Sequence, residues 1–222
     1  MRGAVQVWRV AGAHLWRELP RLIVVNVLWV VAAWPLFTLG AATLTAYAWL
    51  RRAVLEVEEE RRAHRPEEPP VPQEPLSSLP RFFGRLWWPG TLWAALNALV
   101  LVVLYANVAL WSAQPGTLRG AVGAVLGVVL GWLWLTLQPF LLDALAEGLP
   151  LSRALLEAGR IVLAYPLHTQ LCALPPLLLA VLAASFTTLW PVVGVSALLL
   201  YWAVVATSQP RPLSAQRFED VL

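Results

Sequence analysis

The sequence predicts an all-α polytopic membrane protein with four full transmembrane helices, an N-terminal broken or re-entrant helical hairpin and an interfacial amphipathic helix. Of its 222 residues, 59% are hydrophobic and only 13% are charged, whereas an ordinary soluble domain carries about 25% charged residues. Four apolar tracts are each long enough to cross about 30 Å of hydrocarbon, which takes roughly 20 helical residues. We expect a single membrane domain, with spans at residues 91–111, 121–142, 161–183 and 189–206.

The basic residues favour a membrane protein over a nucleic-acid-binding protein. All sixteen are arginines, and they are spread through the short segments between apolar tracts rather than gathered in one patch. This distribution is typical of charge that orients a protein in a bilayer, so we expect no nucleic-acid partner. Because Cys172 is the one cysteine, an intramolecular disulfide and a multi-cysteine metal site are excluded. His168 lies four positions before it with no further His or Cys nearby, so neither a metal nor a cofactor is predicted.

Residues 3–19 predict a basic amphipathic helix lying in the membrane interface. Its polar face carries Arg2, Gln6, Arg9 and Arg17, and its apolar face carries Trp8, Leu15 and Leu19. The block after it lacks a clear small-residue cleavage site, so we interpret it as retained rather than as a signal peptide.

The apolar block at residues 22–50 is too long for one comfortable span and too short for two. Near its centre, Pro35 disfavours helix in the residue before it, and Gly40 permits a turn. Thr38 could then cap a second half-helix that starts at about Leu39. These residues predict a hairpin whose tip contains Pro35, Thr38 and Gly40.

Residues 51–89 predict a cytoplasmic extension. The helix continues past Arg51, supported by Glu58 and Arg62 four positions apart, and it ends at a Pro-rich linker at residues 66–75. Residues 81–88 return the chain to the interface with arginines and aromatic side chains. Later, the loop at residues 144–160 predicts a short amphipathic helix that Ser152 could cap, and residues 207–222 form a cytoplasmic tail.

The arginine count favours re-entry of the first apolar block. If that block crosses once, five arginines lie on one side of the membrane and eleven on the other. If it enters and leaves on one side, fifteen share that side and only Arg119 lies opposite. The positive-inside rule then makes that side cytoplasmic. We therefore expect a multi-pass protein of the bacterial plasma membrane whose two termini both lie in the cytoplasm. Irregular backbone at membrane depth must be enclosed by protein, so we expect residues 34–40 to be buried among the four spans.

The same block carries a distinctive set of residues: Asn26-Val27-Leu28-Trp29, Pro35, Thr38-Leu39-Gly40-Ala41-Ala42-Thr43 and Tyr47. This set resembles the signature of the YesL-like bacterial membrane proteins, a domain of unknown function. The resemblance extends over most of the chain through Phe82-Phe83 and an aromatic-rich span ending near Gln138-Pro139, and the acidic, Pro-rich insertion at residues 56–75 departs from it. It implies a protein that accompanies carbohydrate uptake systems, particularly ABC-type sugar permeases, and it supplies no catalytic residues.

Two groups of residues stand out within the spans. Gly123, Gly127 and Gly131 form a stripe that lets a neighbouring helix approach closely, either within the chain or in a homodimer. A second group contains polar side chains at similar depth, which usually face a bundle interior. They predict either inter-helix hydrogen bonds or a cytoplasm-facing pocket for a small solute or lipid head group. The members of this polar layer are Asn26, Asn97, Trp134, Gln138, His168 and, at its mouth, Asp143.

Together these features favour a non-enzymatic membrane accessory protein associated with carbohydrate or solute uptake. The alternative is a small solute transporter that uses the polar layer, and an intramembrane enzyme ranks third because no nucleophile–base pair or phosphate loop stands out. Residues 144–160 could dock to a soluble partner as the coupling helices of ABC permeases do. The run Glu157-Ala158-Gly159 lacks the order of the permease motif, however, which argues against a permease subunit.

Overall fold

The computed structural model describes residues 3–63, 75–113, 117–185 and 194–208, and all regular secondary structure in these ranges is helical. This confirms the all-α class. Short 3₁₀ turns at Leu36–Thr38 and Leu76–Ser78 precede two of the helices. The α-helices are α1 (Ala4–Arg17), α2 (Leu19–Ala33), α3 (Leu39–Ala63), α4 (Leu79–Ser112), α5 (Leu118–Ala146), α6 (Leu151–Ala164), α7 (Pro166–Ser185) and α8 (Val195–Thr207).

Within the described ranges, two helices are long and apolar enough to cross a membrane by themselves. These are α4 and α5, and the pair α6 and α7 makes a third candidate if it counts as one bent span. The apolar helices α2 and α8 are shorter. Residues 189–193 of the fourth predicted span lie outside the described residues. The described residues therefore contain two or three candidate spans.

The predicted span at residues 161–183 is wrong in its first turn. Residues 161–164 belong to α6, and the chain bends by 107° before α7. Pro166 has no backbone N–H and disfavours helix at Tyr165, which adopts φ −132° and ψ 55°. The predicted cap at Ser152 is also wrong, because α6 starts after Pro150 without a side-chain cap.

Residues 81–88 form the first turns of α4, and their position at a membrane interface stays a prediction. This helix starts at Leu79, has Pro80 in its first turn and continues through Pro89 into the apolar tract. Proline is well tolerated in a first turn, where its missing N–H would have no partner.

The helices α2 and α3 fold back on each other within residues 22–50, and re-entry of this pair into a membrane stays a prediction. Trp29 Nε1 donates to Thr43 Oγ1 at 3.0 Å, and these residues lie seven positions before and after Leu36. On one straight helix they would stand about 21 Å apart. The prediction that the whole tip is buried is wrong, because Trp34 is 84% exposed and Pro35 is exposed too.

The bundle encloses the returning helix rather than the tip. Residues 41–50 of α3 are all buried, as are residues 199–206 of α8. A helix that is apolar on every side is stable when neighbours cover all of it, and α3 packs against α2, α4, α5 and α8.

The helix α1 buries a different face from the predicted one. Val7, Ala11 and His14 are buried where α1 packs against α7 and α8. Trp8 of the predicted apolar face is partly exposed. The helix itself is confirmed, and its position in a membrane interface stays a prediction.

Thr38 acts as a hydrogen-bond donor at the hairpin tip, whereas the predicted helix cap would accept a hydrogen bond. Its hydroxyl lies within donating distance of the carbonyls of Ala32 and Pro35, the latter at 2.6 Å. The prediction of an accepting cap is therefore wrong, although α3 does begin at Leu39 as predicted. Thr38 thus supplies a donor to a carbonyl in the last turn of α2, where helical partners run out, while the Pro35 carbonyl also accepts from the Thr38 N–H at 2.8 Å.

Replacing Thr38 with valine should destabilise the hairpin, because valine keeps the shape of threonine but has no donor. The Ala32 carbonyl would lose the hydroxyl donor, and loss of one such hydrogen bond costs about 0.5–1.5 kcal/mol. The free energy of unfolding in detergent micelles would measure this loss. Thr38→Ser retains the hydroxyl and should lose much less; equal losses in both variants would contradict a role for the hydrogen bond.

Candidate functional site

A close crossing of α3 and α4 fixes where the buried helix sits. A Cβ atom added at Gly40 would overlap the Gly90 carbonyl oxygen and lie 2.6 Å from Ala94 Cβ. A Cβ added at Gly90 would lie 2.6 Å from the Gly40 carbonyl oxygen and 2.7 Å from Ala41 Cα. Gly40 was predicted as a turn residue, yet its main contact is this backbone-to-backbone approach, which only glycine permits.

The glycine stripe of α5 faces α4 within the same chain. A Cβ at Gly123 would overlap the Trp111 ring, and one at Gly127 would lie 2.7 Å from the Asn107 side-chain amide. At Gly131 the nearest atom, Leu104 Cδ1, stands 3.6 Å away, an ordinary van der Waals distance. The stripe therefore serves intramolecular packing most tightly at its first two members. The homodimer alternative stays a prediction.

Three members of the predicted polar layer form a reciprocal network between α4 and α5. Trp93 Nε1 of α4 donates to Gln138 Oε1 of α5, and Trp134 Nε1 of α5 donates to Asn97 Oδ1 of α4, each at 3.0 Å. The amide nitrogens donate in turn to backbone carbonyls, Asn97 to Trp93 at 2.8 Å and Gln138 to Trp134 at 3.4 Å. Both amides are thus bonded within the protein. This arrangement matches the packing interpretation of the layer.

The other three members lie elsewhere. Asn26 joins α2 to α8, where its Oδ1 accepts from the Ser196 N–H at 3.2 Å. His168 is on α7, with Nε2 3.5 Å from Cys172 Sγ. Asp143 belongs to an ionic cluster at the end of α5. The structure therefore divides the six predicted residues among four places.

Replacing Gln138 with leucine should have a small effect if the network only sets packing. Side-chain hydrogen bonds between membrane helices contribute about 0.6 kcal/mol on average, so the free energy of unfolding should fall by about that amount. Trp93→Phe removes the same bond from the other side. The double variant should lose little more than the larger single loss, and fully additive losses would contradict the pairing.

The ionic cluster lies where α3 leaves the apolar region. Arg51 bridges two carboxylates of α5, donating through Nε to Asp143 and through Nη2 to Glu147. The Tyr47 hydroxyl lies 3.3 Å from both Asp143 Oδ1 and the Pro139 carbonyl oxygen. The side chains of Arg51 and Asp143 are each only 13% exposed. Burial of these charges is possible because each has an oppositely charged, hydrogen-bonded partner.

The turn after α5 holds the acidic end of the cluster in place. Gly148 has φ +94°, and its N–H donates to the Leu145 carbonyl while the Leu149 N–H donates to the Ala144 carbonyl. These two bonds and the left-handed glycine are those of a Schellman motif, which stops the helix directly after the carboxylates. Arg85 Nη2 approaches to 3.5 Å from a Cβ position at Gly148, so α4 also reaches this turn.

Several arginines therefore meet at one end of the bundle. Arg52 stacks over the Phe82 ring with its guanidinium carbon 4.5 Å from the ring centroid, a favourable cation–π contact. Arg52 of α3 thus lies beside the first turns of α4, and Arg119 lies near the opposite end of α5. The cluster ties the end of α3 to α4 and α5, and its bridging arginine is a structural connection rather than an acid–base pair.

Sequence reasoning identified Asp143 but not its partners. The sequence pattern places Arg51 at the end of the hairpin, and only the family resemblance points to Tyr47. The spacing of the two carboxylates could have predicted a basic partner. Asp143 and Glu147 stand four positions apart at the end of an apolar helix, so they share one face. Gly90 was missed entirely, because its role depends on a residue fifty positions earlier.

The Cys172 Sγ–His168 Nε2 distance of 3.5 Å is longer than the usual contact between a catalytic nucleophile and its base. Cys172 is buried and faces a cavity of about 10 Å³ between α5, α7 and α8. Such a volume is at the lower limit for one water molecule. Across the described ranges, no three His, Cys, Asp or Glu side chains are grouped to hold a metal ion.

Comparison of the chain with models of known protein families, with curated proteins and with solved structures finds no match. The resemblance to the YesL-like proteins therefore stays a prediction.

Proposed function

We propose that the chain is a non-enzymatic, multi-pass accessory protein of the bacterial plasma membrane that works beside a solute uptake system, with an ABC-type sugar permease as the partner class. The observation that supports this most is that polar side chains within the bundle form hydrogen bonds and ion pairs with one another. The indole–amide network and the Arg51 cluster bond them to one another. A transporter or an enzyme needs polar groups that a solute can reach, whereas an accessory protein needs a stable bundle and an outer surface.

The outer surface of the α4–α5 hairpin supports the same proposal. Away from the cluster, both helices expose large apolar side chains, such as Leu101 and Val102 on α4 and Val125 and Val128 on α5. Apolar patches of this kind suit lipid or a helix of another membrane protein. The glycine stripe holds the two helices together, so the hairpin can present this surface as one unit.

The proposed topology keeps the re-entrant hairpin and four crossings. From Arg21 to Ala33 and from Leu39 to Arg51, each arm of the hairpin rises only about 18 Å, short of the 30 Å hydrocarbon core. The arms fold back on each other, so the hairpin enters and leaves on one side. The crossings are then α4, α5, α7 and the segment that ends in α8, with both termini in the cytoplasm.

Single-cysteine labelling tests this topology. Arg62→Cys in a Cys172→Ala background should react with an impermeant maleimide only after the cells are permeabilised. Arg119→Cys, on the opposite side, should react in intact cells and serves as the matched control. Labelling of position 62 from outside intact cells would exclude re-entry.

The accessory function is tested by affinity purification from membranes and by flux measurements. Stable co-purification of a permease with the intact chain is the expected result. Purified protein reconstituted alone into proteoliposomes should move no sugar across the membrane. Sugar flux by the chain alone would overturn the proposal in favour of the transporter.

A further inference from the structure

The corner between α6 and α7 carries leucines that the bundle does not cover. The helix α6 packs against α5 through a row of small side chains, Ala154, Ala158 and Val162, all buried. On its outer side Leu156 is 64% exposed and Leu163 is 82% exposed. Six residues of α6 separate the two leucines, so they lie on nearly the same line along the helix.

The outer side of α6 is divided between leucine and arginine. At 3.6 residues per turn, Arg153 and Arg160 lie roughly 60° around the helix from Leu156 and Leu163. Both arginines are exposed, and Arg160 also contacts Glu157, its Nη1 standing 3.6 Å from Oε2. The exposed surface thus has an apolar side and a charged side, which is the pattern of a helix lying at a membrane surface.

The leucine side continues directly onto α7. Leu167, at the first turn of α7, is 80% exposed, and Leu171, Leu174 and Leu178 continue the exposed apolar surface along that helix. Because α6 and α7 meet at 107°, a bilayer crossed by α7 would run nearly parallel to α6. The same lipid would therefore meet the leucines of both helices.

We propose that α6 is an interfacial helix whose occupant is the cytoplasmic leaflet of the bilayer, with Leu156 and Leu163 at the boundary between head groups and acyl chains. Arg153 and Arg160 extend toward lipid phosphates, where long basic side chains place their charge in the polar layer. The proposal rests on the proposed crossing of the membrane by α7. It assigns lipid, rather than a soluble partner, to the outer side of the predicted docking loop, because a soluble partner would not account for the continuity with α7.

Depth-dependent fluorescence quenching tests the assignment on the full chain. Leu156→Cys and Leu163→Cys, each with Arg153→Cys as the matched control on the same helix, are made in the Cys172→Ala background and labelled with a small fluorophore. If Cys172→Ala lowers the yield of folded protein, the native background serves, because Cys172 is buried. The proteins are reconstituted into vesicles of phosphatidylcholine and phosphatidylglycerol that contain lipids with a doxyl quencher near the head group.

The labels at positions 156 and 163 should be quenched several-fold more by the doxyl lipid than by aqueous iodide, and the label at position 153 should show the reverse. Iodide quenching at 156 and 163 equal to that at 153 would overturn the proposal in favour of a water-exposed surface. Protection from both quenchers would overturn it in favour of a contact with a second copy of the chain. Leu178→Cys separates this result from the proposed topology, because a doxyl group deep in the acyl chain should quench it only if α7 crosses the bilayer.

Discussion

Gly40→Ala is expected to destabilise the protein by about 3 kcal/mol, at the upper end of the range for overpacked cores. The added Cβ would overlap the Gly90 carbonyl oxygen. A flexible side chain could rotate away, but a backbone carbonyl moves only if α3 and α4 separate, and interior packing resists such movement. The free energy of unfolding in detergent micelles would measure the loss, and Gly90→Ala should give a similar one.

The matched control is Gly131→Ala on α5. Its Cβ would lie 3.6 Å from Leu104 Cδ1, so no atom has to move. Alanine is also preferred over glycine inside a helix by up to about 1 kcal/mol, and this variant should be neutral or slightly more stable. Equal destabilisation by Gly40→Ala and Gly131→Ala would contradict the close crossing of α3 and α4.

Arg51→Met is expected to cost about 3–5 kcal/mol, the range for removing one partner of a buried ion pair. Methionine fills much of the same space but removes the guanidinium that contacts the largely buried Asp143 carboxylate. The loss would appear as a lower free energy of unfolding in micelles. Arg153→Met, at an exposed position of α6, should change stability by less than about 0.5 kcal/mol.

The double variant Arg51→Met, Asp143→Leu separates the ion pair from general loss of packing. The second change removes the more buried of the two carboxylates that Arg51 contacts, because Asp143 is 13% exposed and Glu147 is 28% exposed. The double variant should therefore be more stable than Arg51→Met alone, because replacing both partners of a buried pair by apolar residues is often close to neutral. Losses that add would show that the two side chains contribute independently and would contradict the cluster.

The local features of this chain could be predicted from the sequence because they depend on neighbouring residues. Pro35 marks the break between α2 and α3, and the second helix starts at Leu39 because a helix can begin once the proline constraint has passed. The predicted tracts at 91–111 and 121–142 lie within α4 and α5, because an uninterrupted apolar run favours a helix that can cross the hydrocarbon, although both helices extend beyond the tracts. The bend at Pro166 was equally local. The predicted span at residues 161–183 follows the length of the apolar run and does not take the constraint at Pro166 into account.

The sequence by itself determined that the chain is helical, that α3 begins at Leu39, and that its composition suits a membrane. Only the tertiary structure decided which surfaces meet: Gly40 against Gly90, Trp93 with Gln138, Arg51 between Asp143 and Glu147, and an exposed Trp34 at a tip expected to be buried. The physical reason lies in the composition. In a soluble protein the alternation of apolar and polar residues reveals which face of a helix is covered. Here the surface that meets lipid and the surface that meets another helix are both apolar. The sequence pattern therefore does not show which side of each helix faces the bundle, and only the long-range contacts establish it.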